Sequence, residues 1–246
     1  MYEHFIGTQP DQFETYEQFW DYYLAEVGLT WPELEGKLIL EIGGGNGGLA
    51  KAAKARSIEI ITVDRDPFLH QVSDPEIDVR VLVQDSRDLE IPDGTFDLVI
   101  SRAAPPIIHR NKEYVTQTIN EALRVLKPGG EFRFGPGVFF TDLFEPEDLL
   151  TFQEMKWLMR DNNFFTRLQR GSDIYSALEQ RSEYDIYGNS IDDYWTRLLQ
   201  ERTVMASETL MRQLFPAAEK RPITSDRRKD TDHNFFFFLR KDMECS

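Results

Sequence analysis

The chain has 246 residues, 41% hydrophobic and 29% charged, an ordinary balance for a globular protein with a sizeable core. Its 28 Lys and Arg against 43 Asp and Glu leave a formal charge of −15, a field that repels phosphate backbones and anionic lipid heads. Nucleic-acid and membrane partners are therefore disfavoured. The one basic cluster, Lys220, Arg221, Arg227, Arg228 and Lys229, is interrupted by Asp226 and flanked by Glu219 and Asp230, and reads as a solvated hairpin tip. The lone cysteine, Cys245, has no partner for a disulfide, and His4, His70, His109 and His233 show no metal-ligand spacing, so no metal is expected. The first residues are acidic and aromatic where a signal peptide is basic and then apolar, and no apolar run is long enough to cross a bilayer. The expectation is a cytoplasmic protein.

Residues 11–27 carry Phe13, Tyr16, Phe19, Trp20, Tyr23 and Leu24 at helical spacing, predicting an amphipathic helix. A strand follows over 37–42 and ends in the run Glu41-Ile42-Gly43-Gly44-Gly45-Asn46-Gly47-Gly48. An alanine- and lysine-rich helix over 49–55 comes next. Further strands are predicted over 58–63, closed by Asp64-Arg65-Asp66-Pro67, over 79–83, closed by Gln84-Asp85-Ser86, and over 96–100, closed by Ser101-Arg102. A helix over 112–126 sets Val115, Ile119, Leu123 and Leu126 on one stripe and is ended by Lys127-Pro128-Gly129-Gly130; a fifth strand covers 131–134. Apolar strands alternating with helices predict a parallel sheet covered on both faces.

After about residue 140 the alternation stops. Pro146, Glu147 and Asp148 mark a helix start, with Leu150, Met155, Trp157 and Leu158 as apolar surface. A longer helix begins near Asn189-Ser190, with Ile191, Trp195, Leu198, Leu199 and Met205 assigned to one face. This helical stretch exceeds what a crossover needs and is read as a cap over the sheet edge. The run Phe235-Phe236-Phe237-Phe238-Leu239 is apolar on both faces and belongs inside the sheet.

Glycines at a strand-to-helix turn let a ligand approach the backbone closely. Open α/β sheets bind ligands beyond the C-terminal ends of their strands, where Glu41, Asp64 and Asp85 stand on three consecutive strands. Asp64 suits a ribose diol, and Asp85 suits the amino group of adenine. The spacing of Gly43, Gly45 and Gly48 also fits a dinucleotide site. Glu41 beside the turn disfavours a pyrophosphate and favours a ligand bearing an ammonium and a sulfonium.

From about 37 to 140 the chain resembles the class I, Rossmann-like S-adenosylmethionine-dependent methyltransferases. The resemblance is carried by the acid and glycines of residues 41–47, by Asp64 after the second strand, by residues 84–86 and 91–101, and by Leu123-Arg124-Val125-Leu126-Lys127-Pro128-Gly129-Gly130. It implies an α/β fold: a mostly parallel seven-stranded sheet with helices on both faces, a helical insertion before the C-terminal hairpin, and an antiparallel last strand. It also implies that S-adenosylmethionine is bound by Glu41, Gly43, Gly45, Asn46 and Gly47 at the methionyl part, Asp64 with Arg65 at the ribose, and Asp85 with Ser86 at adenine, with Ser101 alongside. The corresponding division is an N-terminal helical cap (1–36), a cofactor-binding core (37–140), a helical insertion acting as an acceptor lid (141–215), and C-terminal strands completing the sheet (216–246).

Residues 101–106 lack both the Asn-Pro-Pro-aromatic motif of amino-group DNA and protein methylases and a cysteine nucleophile, which disfavours those acceptor classes; the acidic charge, the aromatic N-terminal helix and the helical insertion point to a small-molecule acceptor enclosed under a lid. His109 is a candidate base, against the plainer reading of a surface histidine at a helix start. Arg102 is a candidate for holding an anionic acceptor, against pairing with a nearby acid. No catalytic residue, acceptor or oligomeric state is assigned. Two alternatives stand beside this reading. One is an aminopropyl transferase using decarboxylated S-adenosylmethionine, disfavoured because Ser101-Arg102 replaces that family's Asp pair. The other is a non-catalytic regulatory module that binds S-adenosylmethionine.

Overall fold

The computed structural model describes residues 15–66, 79–135, 143–144, 146–150, 191–223 and 235–242. The elements run α1 (Tyr16–Ala25), α2 (Trp31–Leu34), β1 (Leu38–Ile42), α3 (Gly48–Lys54), β2 (Glu59–Asp64), β3 (Val81–Val83), β4 (Phe96–Arg102), α4 (Lys112–Val125), β5 (Leu126–Gly135), α5 (Pro146–Leu149), α6 (Ile191–Leu214), β6 (Glu219–Pro222) and β7 (Phe235–Arg240). Phe13, residues 67–70, Met155, Trp157, Leu158, Asn189, Ser190, Arg227, Arg228, Lys229, His4, His70, His233 and Cys245 lie outside the described residues.

The strands form one seven-stranded sheet in the order β3-β2-β1-β4-β5-β7-β6. Strands β1 to β5 are parallel, and β7 runs antiparallel to both β5 and β6. This is the expected Rossmann-like α/β sheet with its reversed last strand. The order turns back between β1 and β4, so the switch point lies at their C-terminal ends, where such sheets open a ligand crevice.

Alternation along the strands separates two cores. On one face Leu40, Ile42, Val99, Phe132 and Phe134 pack with Val115, Ile119, Ala122 and Val125 of α4 and with Val204, Leu210 and Met211 of α6. On the other, Ile39, Ile60, Leu98 and Ile100 pack with Phe19, Tyr22, Tyr23 and Leu24 of α1, Leu34 of α2, and Leu49 and Ala53 of α3. Thr15 caps α1 by accepting from the Gln18 amide at 3.2 Å, and Asn111 caps α4 by accepting from the Glu113 amide at 2.7 Å.

Several expectations are corrected. Strand β5 begins at Leu126, not residue 131: Leu126 pairs with Phe96 before a register shift, and Leu98 pairs next with Glu131. The segment between them is held by backbone bonds from the Gly129 amide to the Lys241 carbonyl (3.0 Å) and from the Lys241 amide to the Gly130 carbonyl (2.9 Å). Leu126 is therefore a strand residue, and the Lys-Pro-Gly-Gly run is an irregular strand start. Ser101 and Arg102 are the last two residues of β4, paired with Phe134 and Gly135, rather than the turn after it. Strand β3 shortens to three residues at the sheet edge. Met205 is 65% exposed, because the buried stripe of α6 is Thr203, Val204, Ser207, Leu210 and Met211, to which position 205 is rotated away. Lys220 and Arg221 lie in β6, where the Arg221 guanidinium sits 3.7 Å above the Phe238 ring, rather than at a hairpin tip.

Gly135 marks where α1 meets the sheet. A Cβ there would lie 2.7 Å from the Glu26 carbonyl oxygen and 3.0 Å from the Phe236 Cβ. Gly135→Ala should destabilise the fold by about 1–3 kcal/mol, read as a lowered urea midpoint at unchanged slope.

Candidate functional site

The turn after β1 has Gly43, Gly45 and Gly47 at φ of 72°, 60° and 73°, a region that favours glycine. Gly44 is required for a different reason: its Cβ would sit 2.2 Å from Glu41 Oε2. Glu41 is 1% exposed and points to the α1 side of the sheet. The Tyr23 hydroxyl donates to its Oε1 at 2.7 Å, and the Thr62 hydroxyl donates to its Oε2 at 2.9 Å. Burial pushes the Glu41 carboxyl up, the two hydroxyls oppose this, and the charge of Asp64 adds to the rise.

Asp64 ends β2 facing the crevice, where it accepts from the Gly45 and Asp66 amides, both at 3.0 Å. A carboxylate offers about four lone-pair sites, so it retains capacity for a diol. Asp85 is engaged by Arg87, whose Nε and Nη2 reach its two oxygens at 2.8 and 2.6 Å; this pairing holds its carboxyl down at about 2. Arg87 in turn lies 4.0 Å from the centroid of the Tyr114 ring.

A cleft opens across the C-terminal strand ends. Ile42 and Gly43 line it at the end of β1, Val63, Asp64 and Arg65 at the end of β2, and Gln84, Asp85 and Ser86 from the turn after β3. Ala103, Ala104, Pro105, Ile108 and His109 close it from the segment after β4. Of the expected residues, the cleft brings together Gly43, Asp64, Arg65, Asp85 and Ser86. Gly45 stands behind, holding Asp64, while Glu41, Asn46, Gly47 and Ser101 do not line it. Ser101 is buried and its hydroxyl donates to the Pro105 carbonyl, which shapes the loop instead. Ala103 supports the same loop at φ 48°, an uncommon conformation for a residue with a Cβ, and its amide donates to the Gly135 carbonyl at 2.7 Å.

His109 is half-buried in the cleft wall, its Nε2 2.9 Å from the Thr118 hydroxyl, which lies 3.2 Å from that of Ser86. Burial, then Arg87 and Arg65, lower its pKa to about 4, with Asp85 opposing. The imidazole is thus neutral at physiological pH but only weakly basic, which disfavours it as a general base there. Arg102 pairs with the buried Glu26, which also accepts from the Tyr22 hydroxyl at 2.9 Å. Sequence reasoning missed Gly44, Tyr23, Thr62, Arg87 and the alanine loop. Of these, only Gly44 carried a local signal, through its place inside the glycine run.

Residues 39–130 match the family model described as a methyltransferase domain. A ubiquinone/menaquinone biosynthesis C-methyltransferase from Laribacter hongkongensis is 33% identical over 126 residues, covering 46% of this chain and 47% of that protein. The chain therefore spans about half the length of the curated relative it matches. Among solved structures, an S-adenosylmethionine-dependent methyltransferase from Mesorhizobium loti is 23% identical over 42% of this chain and 48% of that one, with a TM-score of 0.36. The PH0226 protein from Pyrococcus horikoshii is 18% identical over 97% and 93%, with a TM-score of 0.47.

His109 gives a pH test of the cleft wall. Its folded pKa lies below the ordinary 6.5, so its contribution to stability is full above about pH 6.5 and is lost as pH falls toward 4. NMR titration should place its midpoint near 4, and His109→Asn should remove that part of the acid slope in denaturant melts.

Proposed function

We propose that this chain, whose core is a class I S-adenosylmethionine-dependent methyltransferase domain, moves the methyl group of S-adenosylmethionine to a small-molecule acceptor. The observation that carries this reading is the negative field at the glycine turn. Burial pushes the Glu41 carboxyl up, and the charge of Asp64, which accepts from the Gly45 amide at 3.0 Å, adds to that rise. A cationic sulfonium and ammonium would relieve that field, and a pyrophosphate would worsen it.

The residues present fit such a donor. The bare backbone at Gly43 leaves no room for a Cβ, which would lie 2.4 Å from the Ala104 Cβ. Asp64 would take the ribose diol. Asp85 and Ser86 would face the adenine, with Asp85 acting through the lone pairs that Arg87 leaves open. Glu41 would act from behind the turn, by field and by fixing the backbone, since both its oxygens are engaged. The donor supplies the activated methyl group when bound; the chain's own task is to align the acceptor and exclude water.

A small acceptor fits the overall acidity, which disfavours nucleic acid. The relative named for quinone biosynthesis puts quinone precursors first among acceptors to assay. The insertion over 141–215 would supply the lid, although Val204, Leu210 and Met211 within it belong to the sheet-face core. Among the described residues no helix is long and apolar enough to cross a membrane, and no cluster could hold a metal ion.

Titration calorimetry should show binding of S-adenosylmethionine and S-adenosylhomocysteine but not NAD. Asp64→Ala should weaken both by about ten- to a hundred-fold, the value of a charge-assisted bond. Binding of NAD in preference to the sulfonium would refute the reading. So would methylation of bulk RNA or protein with no small-molecule pool accepting a methyl group.

A further inference from the structure

Three hydrogen-bonding groups from three separate segments meet in the cleft wall. Thr118 on α4 is fully buried, and its hydroxyl lies 2.9 Å from His109 Nε2 and 3.2 Å from the Ser86 hydroxyl. Both outer members line the cleft, His109 from the segment after β4 and Ser86 from the turn after β3. A path of hydrogen bonds therefore leaves the cleft at one residue, passes through the core and returns at another. The Tyr114 ring packs edge-on against the imidazole with centroids 5.9 Å apart, and the Arg87 guanidinium covers that ring at 4.0 Å. The imidazole is thus held by packing as well as by Thr118.

The direction of this path is all-or-none. The Thr118 hydroxyl has one proton and, among the described residues, two partners. It donates to one neighbour and must accept from the other. When Ser86 turns its own proton toward the cleft, Thr118 donates to Ser86, and Nε2 of the neutral His109 carries the ring proton. Nδ1 makes no hydrogen bond among the described residues, and it is then a bare lone pair. When Ser86 donates to Thr118, the tautomer reverses and Nδ1 becomes a donor. The group that Ser86 meets in the cleft thus decides what His109 offers there.

An adenine edge presents an amino donor beside a ring-nitrogen acceptor. Asp85, ionised against Arg87, can only accept and so matches the amino group, which leaves Ser86 to donate to the ring nitrogen. Resting on the methyl-donor reading above, we propose that Ser86, donating to the nucleobase, sets His109 through Thr118 as the Nε2–H tautomer, and that His109 Nδ1 then selects the methyl acceptor by accepting a hydrogen bond from its O–H or N–H group. The apolar part of the cleft lining is Ile42, Val63, Ala103, Ala104, Pro105 and Ile108. The acceptor class is therefore an apolar body bearing a hydroxyl or N–H. A carbonyl in that place is refused, because its lone pair would face that of Nδ1. His109 orients the acceptor and removes no proton, in keeping with its weak basicity.

The test uses the full chain saturated with S-adenosylhomocysteine at neutral pH. Long-range proton–nitrogen NMR of the His109 ring should show the proton on Nε2 and a lone pair on Nδ1. Two probes then share an apolar ring: naphthol, which carries an O–H, and methoxynaphthalene, which lacks it. Naphthol should bind the complex about three- to ten-fold more tightly, the value of one neutral hydrogen bond. His109→Gln keeps an N–H for Thr118 but loses the Nδ1 lone pair, and should bring the two probes to equal affinity. Thr118→Val keeps the shape, cuts the path and should leave both His109 tautomers populated. Thermal melts report whether each variant folds, and the wild-type tautomer and probe ratio need neither of them. An Nδ1–H tautomer, equal wild-type affinity for the two probes, or no binding of either overturns the proposal. So does a naphthol preference that survives His109→Gln, or a tautomer unmoved by Thr118→Val. In each of these cases bound S-adenosylhomocysteine leaves the donor reading standing. A wild-type protein that does not bind S-adenosylhomocysteine overturns the two together.

Discussion

A buried carboxylate under a glycine turn holds this molecule's site together. Glu41 sits where a charge is expensive, and it is tolerated because each oxygen accepts a hydroxyl proton from a different element. Tyr23 ties it to α1 and Thr62 ties it to β2, so one side chain links the N-terminal helix, two strands and the turn between them. The cost falls on Gly44, which has no room for a side chain against Glu41 Oε2. The glycine run is thus shaped from beneath by a protein contact.

The same face of the sheet repeats this device. Glu41 on β1 and Arg133 on β5 are buried polar residues on the side covered by α1 and α2, and Arg102 on β4 joins them with a side chain only 9% exposed. Arg102 engages Glu26, and Arg133 donates to the Gly28 carbonyl and pairs with Glu131. The opposite face at this end is closed by Phe132, Phe134 and Phe237. Apolar burial secures the N-terminal segment, and directional bonds set its register on the strand ends. A helix docked this way touches both the core and the strand ends beneath the cleft.

The strands that were easiest to read, β1, β2 and β4, are those buried on both faces, each with an unbroken apolar or β-branched run at its centre. Expectations failed where a residue's neighbours came from distant sequence. The Lys-Pro-Gly-Gly run reads locally as a stop, yet Lys241, more than a hundred residues on, pairs with it and carries β5 back to Leu126. Met205 is an apolar residue on a helix, but the phase of α6 is set by Val204, Leu210 and Met211 against the sheet, leaving position 205 outside. In the cleft, Gly43, Asp64, Arg65, Asp85 and Ser86 were legible because each stands at or just past the C-terminal end of a strand. Ser101 met the same criterion, but its hydroxyl turns to the Pro105 carbonyl, because β4 runs on through Arg102.

Sequence alone determined the α/β class, the position of the glycine turn, and the three acids at neighbouring strand ends, since these follow from periodicity and strand-end position. The tertiary structure decided what those acids do. Glu41 is spent on Tyr23 and Thr62, Asp85 is shared with Arg87, and Asp64 keeps its open face to the cleft. It also decided that Arg102 meets Glu26 and retains one unmatched nitrogen. Partnerships between residues tens of positions apart depend on how helices dock and which way each strand's side chains face. No local pattern encodes that, so the glycine turn was visible in the chain and the contacts that charge and support it were not.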